Sequence, residues 1–284
     1  MIFKTHSRLI FAIHYLNTFF ENIMGALIVL LLILAIIFIA VFYKKPAKKI
    51  VLPDNYKELL MKHVAFYRSI NGEEKIRFEK KIKEFLGYVR IHGVNTSVED
   101  IDRLLVAASA VIPIFAFPEW KYYNLRDVLL YPATFNKDEF LSGNNPTNTL
   151  GMIGNGAMQR VMILSKPALH FGFENDLGKE NTGIHEFVHL LDKEDGEVDG
   201  LPEALLNRKY LVPWLELMNQ NIEAITAGDS DINIYGSANK AEFFAVAAEY
   251  FFERPDLFKE KHGELYNLMT KIFHQEPPVP LYQS

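Results

Sequence analysis

The run His185-Glu186-Phe187-Val188-His189, set inside the apolar stretch Gly183 to Leu191, constrains this chain more than any other feature. Four-residue spacing on an α-helix puts both imidazoles on one face, a turn apart, where both can reach a single ion. Glu186 lies beside the first His and can point at a water on that ion, accepting its proton during attack on a carbonyl. Phe187 and Val188 fall between and can root the back of the helix in a core. The competing reading is a half-buried pair of histidines bonded to carboxylates. The apolar setting and the residues downstream favour zinc.

A catalytic zinc takes three protein ligands and keeps one position open. The chain contains no cysteine, so disulfides and thiol chemistry are excluded and the third ligand must offer nitrogen or oxygen. The extended pattern HExxHxxGxxH fails, because Asp192 stands at the Gly position and Asp195 at the third His. A carboxylate is therefore expected, from Glu203, Glu216, Glu223, Glu242 or Glu249, or from Asp192, Asp195 or Asp199 in the nearby loop. The stretch Ala241 to Phe252 stands out, since Glu242 and Glu249 interrupt an otherwise very apolar helix. Such a helix must be largely buried, and a buried carboxylate needs a partner. Seven residues separate the two, close to two turns, and local reasoning does not choose between them.

Asp192, Asp195, Glu197 and Asp199 form an acidic loop after the HExxH helix. Asp192 is placed to accept the free N–H of a ligand imidazole and fix its tautomer. Otherwise the loop is a solvated turn shaped by Gly196 and Gly200, the reading preferred for Glu197. The acidic residues are not spaced as a calcium loop.

At the other end of the chain, Met24 to Tyr43 runs twenty residues without a charge. At about 1.5 Å per residue such a helix spans the roughly 30 Å hydrocarbon layer. Lys44, Lys45, Lys48 and Lys49 follow in place of a small-residue cleavage site, which reads as an uncleaved single-pass anchor with the C-terminal body in the cytoplasm. Residues 1–23 form an N-terminal extension apolar and aromatic enough to lie along a membrane surface, and Met24 offers an alternative start. A formal charge of -5 gives no footprint for nucleic acid.

Beyond a basic linker at 44–53, two helical stripes broken at Asn71-Gly72, and a capping signal at Ser97 with Asp100, predict a helical subdomain over 54–112. From 113 to 278 the texture becomes mixed. Val128 to Tyr131 and Val161 to Ser165 read as strands, Asn144 to Gly156 as an Asn- and Gly-rich loop, and helices dominate from Thr182. Residues 279–284 form a tail.

His185 to Pro202 (HEFVHLLDKEDGEVDGLP) and Tyr235 to Pro255 (YGSANKAEFFAVAAEYFFERP) resemble the Mlc titration factor A family of zinc-dependent peptidases, whose catalytic core is similar to that of anthrax lethal factor. Residues 128–135, 161–165 and 265–277 match more weakly, so the resemblance spans about 54–278. It implies one Zn2+ per chain with His185, His189 and Glu242 as ligands, Glu186 as general base and Tyr235 as stabiliser of the oxyanion, leaving Glu249 a supporting carboxylate. It also implies an α+β fold, a mainly helical zincin-like domain with a small sheet, here preceded by one transmembrane helix. The family's best-known member is soluble, cytoplasmic and binds a transcriptional repressor. This chain departs from it in carrying the apolar run, so that partnership is not carried over.

The expectation is a membrane-anchored zinc peptidase that acts on a peptide or protein substrate and touches the bilayer through its N-terminal helix, with any regulatory protein partner unidentified. Two alternatives stand beside it: a catalytically silent zinc-containing regulatory or binding module, and a hydrolase of a non-peptide amide or ester. Structural zinc has no need of Glu186, which speaks against silence.

Overall fold

The computed structural model describes residues 52–133, 135–136, 148–149, 151–153, 160–175 and 177–281, together with 24, 25, 27 and 30–38. The chain divides into two compact units, Met1–Lys48 and Lys49–Ser284. In the first, the described residues are helical and their large apolar side chains, Leu30 to Leu34 and Ile36 to Phe38 among them, are exposed. Among the described residues no helix is long and apolar enough to cross a membrane. The rest of the expected span 24–43, the extension 1–23 and the lysines of the linker lie outside the described residues, as do 282–284 of the tail.

The second unit is mainly helical around a small sheet, an α+β arrangement. Helices α1 (Tyr56–His63), α2 (Ala65–Ser69) and α3 (Gly72–Tyr88) lead into strand β1 (Arg90–Gly93) and helix α4 (Asp100–Val111). Strands β2 (Asp127–Tyr131), β3 (Gly151–Ile153) and β4 (Val161–Ser165) follow, then helices α5 (Lys166–Glu174), α6 (Thr182–Asp192), α7 (Leu211–Ala227), α8 (Lys240–Glu253), α9 (Pro255–Lys261) and α10 (Gly263–Phe273). The sheet order is β1-β2-β4-β3, with β1, β2 and β4 parallel and β3 antiparallel at the edge. A separate two-stranded ladder pairs Phe135–Asn136 with Asn148–Thr149.

The expected strands at 128–131 and 161–165 form, in register Val128 to Met162. Val128, Leu130, Met162 and Leu164 are fully buried, which is why their apolar runs were readable. β1 and β3 were not expected. Arg-Ile-His-Gly has one apolar residue, and Gly-Met-Ile falls inside the segment read as loop; both are strands because a neighbouring strand supplies their hydrogen bonds.

Asn71 starts α3 through a reciprocal cap, its side chain accepting from Glu74 N–H while Glu74 accepts from Asn71 N–H, each at 3.0 Å. For α4 the expected pair Ser97 and Asp100 is corrected to Glu99 and Asp102, with Glu99 N–H donating to Asp102 Oδ2 at 2.7 Å. Asp102 is the better anchor because, fully buried, it also receives Lys166 at 2.8 Å and His170 at 2.6 Å, tying α4 to α5.

These elements prepare the bed for α6. Phe85 of α3, Tyr122 and Phe187 form an aromatic group with ring centres 5.6 Å (Phe85 to Phe187) and 5.1 Å (Tyr122 to Phe187) apart. Gly183 lets α6 approach α4 closely, since a Cβ there would lie 2.1 Å from Ser109 Oγ. Phe187 and Val188 are fully buried behind the helix. α8 packs across α6, with its residues from Phe243 to Phe252 buried.

Candidate metal centre

Asn181 begins α6. Its side-chain oxygen accepts the N–H of Ile184 at 3.1 Å, which starts the helix one turn ahead of His185. The four-residue spacing then brings His185 and His189 to one face, Nε2 to Nε2 at 3.1 Å. On the facing helix α8, Asn239 caps the first turn by accepting Glu242 N–H at 2.9 Å, and this presents Glu242 to the pair. Glu242 Oε2 lies 3.0 Å from His185 Nε2 and 3.3 Å from His189 Nε2.

Among the described residues these three side chains alone form a group able to hold a metal ion, with ligand atoms within 4.8 Å of one another. Bonds of about 2.0–2.2 Å to a tetrahedral ion would set its ligand atoms roughly 3.3–3.5 Å apart. The observed separations are close to that, so the donor set fits zinc without rearrangement. Of the possible third ligands, Glu242 is the one whose carboxylate reaches Nε2 of both histidines.

Glu249 sits on the other side of His185. The ring's Nδ1 donates to Glu249 Oε1 at 2.6 Å, and Glu249 Oε2 accepts the backbone N–H of Asn181 at 2.6 Å. A proton on Nδ1 leaves the lone pair of Nε2 pointing at Glu242 and His189, the orientation a metal ligand needs. Asn181 goes further, donating from Nδ2 to Glu253 Oε1 at 2.8 Å. One residue therefore caps α6, holds Glu249 and reaches the end of α8. Its place just before the helix was the only sequence signal for it.

The carboxylates and imidazoles of the site shift one another's proton affinities. Burial alone would lower the pKa of His185, but Glu249 and Glu242 outweigh it and hold the ring well above its ordinary value. Burial would raise Glu242, yet hydrogen bonds from His185 and His189 hold it well below the carboxylate range. Glu186 is buried, and that pushes its carboxyl up, opposed by the charge of both imidazoles.

Tyr235 lies in a short 3-10 segment, Ile234–Ser237, whose first turn is fixed by Asn233 Oδ1 accepting Tyr235 N–H at 2.8 Å. Its ring centre is 6.0 Å from that of His185. Burial, then the charges of Glu242 and Glu186, push its hydroxyl up to about 12, so the phenol keeps its proton at neutral pH.

Asp192 leaves its Oδ1 without a hydrogen-bond partner, as His189 leaves its Nδ1. The aspartate is fully buried, its Oδ2 accepts Gly200 N–H at 2.9 Å, and no hydrogen bond joins it to either histidine. Gly200 adopts φ +77, and a Cβ there would meet Lys240 O at 2.3 Å. Asp192 thus fastens the acidic loop beneath the start of α8, while Asp195, Glu197 and Asp199 are exposed.

The profile of the family described as Glucose-regulated metallo-peptidase M90 matches residues 42–274. An uncharacterized protein of Synechocystis sp. is 28% identical over 240 residues, covering 80% of this chain and 86% of that protein. Mlc titration factor A of Escherichia fergusonii is 27% identical over 238 residues, covering 78% and 86%. That of Pectobacterium atrosepticum is 26% identical over 218 residues, covering 73% and 82%.

Proposed function

The chain belongs to the M90 family of glucose-regulated metallo-peptidases, and from that premise we propose that it is a zinc-dependent peptidase that hydrolyses peptide bonds with Glu186 as general base. The observation that carries this is the convergence of His185, His189 and Glu242 beside a buried glutamate that is not one of the three. His185, His189 and Glu242 would hold one Zn2+ per chain. When bound, the ion supplies Lewis acidity, lowering the pKa of water and polarising a carbonyl.

The remaining work falls to the chain's own side chains. Burial raises the proton affinity of Glu186, which suits a group that must take a proton and pass it to a leaving amine. Tyr235, protonated at neutral pH, can donate to an oxygen on which negative charge develops. Glu249 and Asn181 keep the His185 ring in place.

The expected test result is one equivalent of zinc, with zinc and peptidase activity lost together on chelation. Glu186→Gln should keep the zinc and reduce turnover of an internally quenched peptide mixture by about 10²–10⁴-fold. Normal turnover in that variant would remove Glu186 from the mechanism.

The same reading places the enzyme at a membrane, anchored once through residues 24–43 with the catalytic unit in the cytoplasm. Support comes from the uncharged run and the four lysines that follow it. A C-terminal tag should resist protease in sealed spheroplasts, and its digestion there would sink the orientation. The name Mlc titration factor A, borne by several relatives, supports an additional regulatory protein partner.

A further inference from the structure

The approach to Tyr235 is held by a carboxylate outside the metal centre. Asp231 lies in the connection between α7 and the 3-10 segment. Its carboxylate accepts from four side chains: Lys179, Tyr250 Oη at 2.9 Å, Lys261 Nζ at 3.0 Å and His262 Nε2 at 2.7 Å. Lys179 Nζ also donates to the backbone oxygen of Asp231 at 2.9 Å, so main chain and side chain are both gripped. Lys179 stands two residues before Asn181, Tyr250 is the neighbour of Glu249 on α8, and Lys261 and His262 close α9.

A second link runs parallel. Asn233 Nδ2 donates to Glu180 Oε1, while Asn233 Oδ1 receives Tyr235 N–H. Lys179 with Asp231 and Glu180 with Asn233 thus join the residues leading into the metal-bearing helix to those leading into Tyr235. Tyr235 itself is 53% exposed and cannot be held by packing alone. Four donors on one carboxylate are far more than a surface turn needs.

We propose that Asp231, Lys179, Glu180 and Asn233 form a clamp that fixes where Tyr235 stands relative to the metal centre, making Asp231 a positioning residue for turnover and not for metal binding. The proposal rests on the hydrolytic role of Tyr235 given above. None of the four is a proposed ligand, base or oxyanion donor, so the clamp should separate from zinc affinity.

The test uses the full chain, the quenched peptide mixture and a double-mutant cycle. Asp231→Asn should leave zinc stoichiometry unchanged, alter KM less than twofold and lower kcat by about tenfold, since small misplacements of a catalytic group cost about that or more. In a Tyr235→Phe background the same change should cost less than twofold. Equal losses in both backgrounds, or loss of zinc, would overturn the clamp while leaving the role of Tyr235 intact. No effect of Tyr235→Phe on kcat would overturn both. Amide exchange over residues 229–237 should quicken in Asp231→Asn with zinc bound and after chelation, and unchanged exchange refutes the clamp. A wild type that cleaves nothing in the mixture would sink the hydrolytic reading, and exchange would then decide the clamp alone. If Asp231→Asn does not fold, Glu180→Gln, which weakens only the exposed link, should show the same non-additivity at about threefold; full additivity there overturns the proposal.

Discussion

His185 Nδ1 and Glu249 Oε1 meet at 2.6 Å on the side of the ring opposite Glu242, whose Oε2 is 3.0 Å from Nε2. Two glutamates seven residues apart on α8 therefore take the two nitrogens of one imidazole. One can serve as a ligand, and the other sets which nitrogen carries the proton.

This division predicts unequal effects on metal binding. Glu249→Ala should weaken zinc by about 10–100-fold, the usual cost of losing a carboxylate behind a ligand imidazole. Glu242→Ala, which removes a ligand, should weaken it more. Competition against a chelator of known affinity measures both, and the reverse ranking would exchange the assignments.

Tyr235→Phe removes one hydroxyl and leaves the ring beside His185. Zinc content and thermal stability should stay as in the wild type, while kcat falls by about 10²–10³-fold, as for loss of a single oxyanion donor. Steady-state kinetics with metal analysis on the same sample decides it, and an unchanged kcat would leave Tyr235 without that role.

Much of this centre was legible from residue order. His185 and His189 face one way because four residues make about one helical turn, and no tertiary information is needed for that. The choice of Glu242 over Glu249 was not legible from periodicity, because both carboxylates lie along the same side of α8 and only the crossing of α6 decides which nitrogen each meets. The resemblance supplied that choice. The fastening of Asp192 was not legible either: one of its carboxylate oxygens accepts the N–H of Gly200, a contact set by how the acidic loop folds back. Strands β2 and β4 announced themselves through buried apolar runs. β1 and β3 did not, being strands by virtue of their partners. The contacts of Asp231 join positions up to 52 residues apart, which no local pattern records.

Gly183 should tolerate no side chain. A Cβ would lie 2.1 Å from Ser109 Oγ and 2.8 Å from Ser109 Cβ, so Gly183→Ala must force α6 away from α4. The expected loss is about 1–3 kcal/mol in denaturant unfolding. Ser109→Gly in the same chain should recover part of it. Wild-type stability in Gly183→Ala would contradict the close approach.

Acid should expose the contribution of Asp231. Burial alone would raise its pKa, but Lys179, His262, Lys261 and Tyr250 outweigh that and hold it well below the carboxylate range. A carboxyl depressed in the folded state stabilises fully above its unfolded pKa, about 4, and loses that contribution as pH falls through the folded value. The stability gap between wild type and Asp231→Asn, measured on chelated protein, should be widest above about pH 4 and narrow below it. A gap independent of pH would mean that the charge of Asp231 contributes nothing.

The contact of Gly183 with Ser109, and of Phe187 with Phe85, has a bearing on how this protein can be divided. Every residue of the metal centre lies after position 180, yet the floor beneath its helix is built from α3 and α4, more than seventy residues earlier. A fragment cut to begin at 113 would keep all three ligands in its sequence and lose the surface that aligns two of them. The smallest autonomous piece of the protein therefore begins before α3, and the segment without a chemical motif of its own is the foundation on which the metal centre stands.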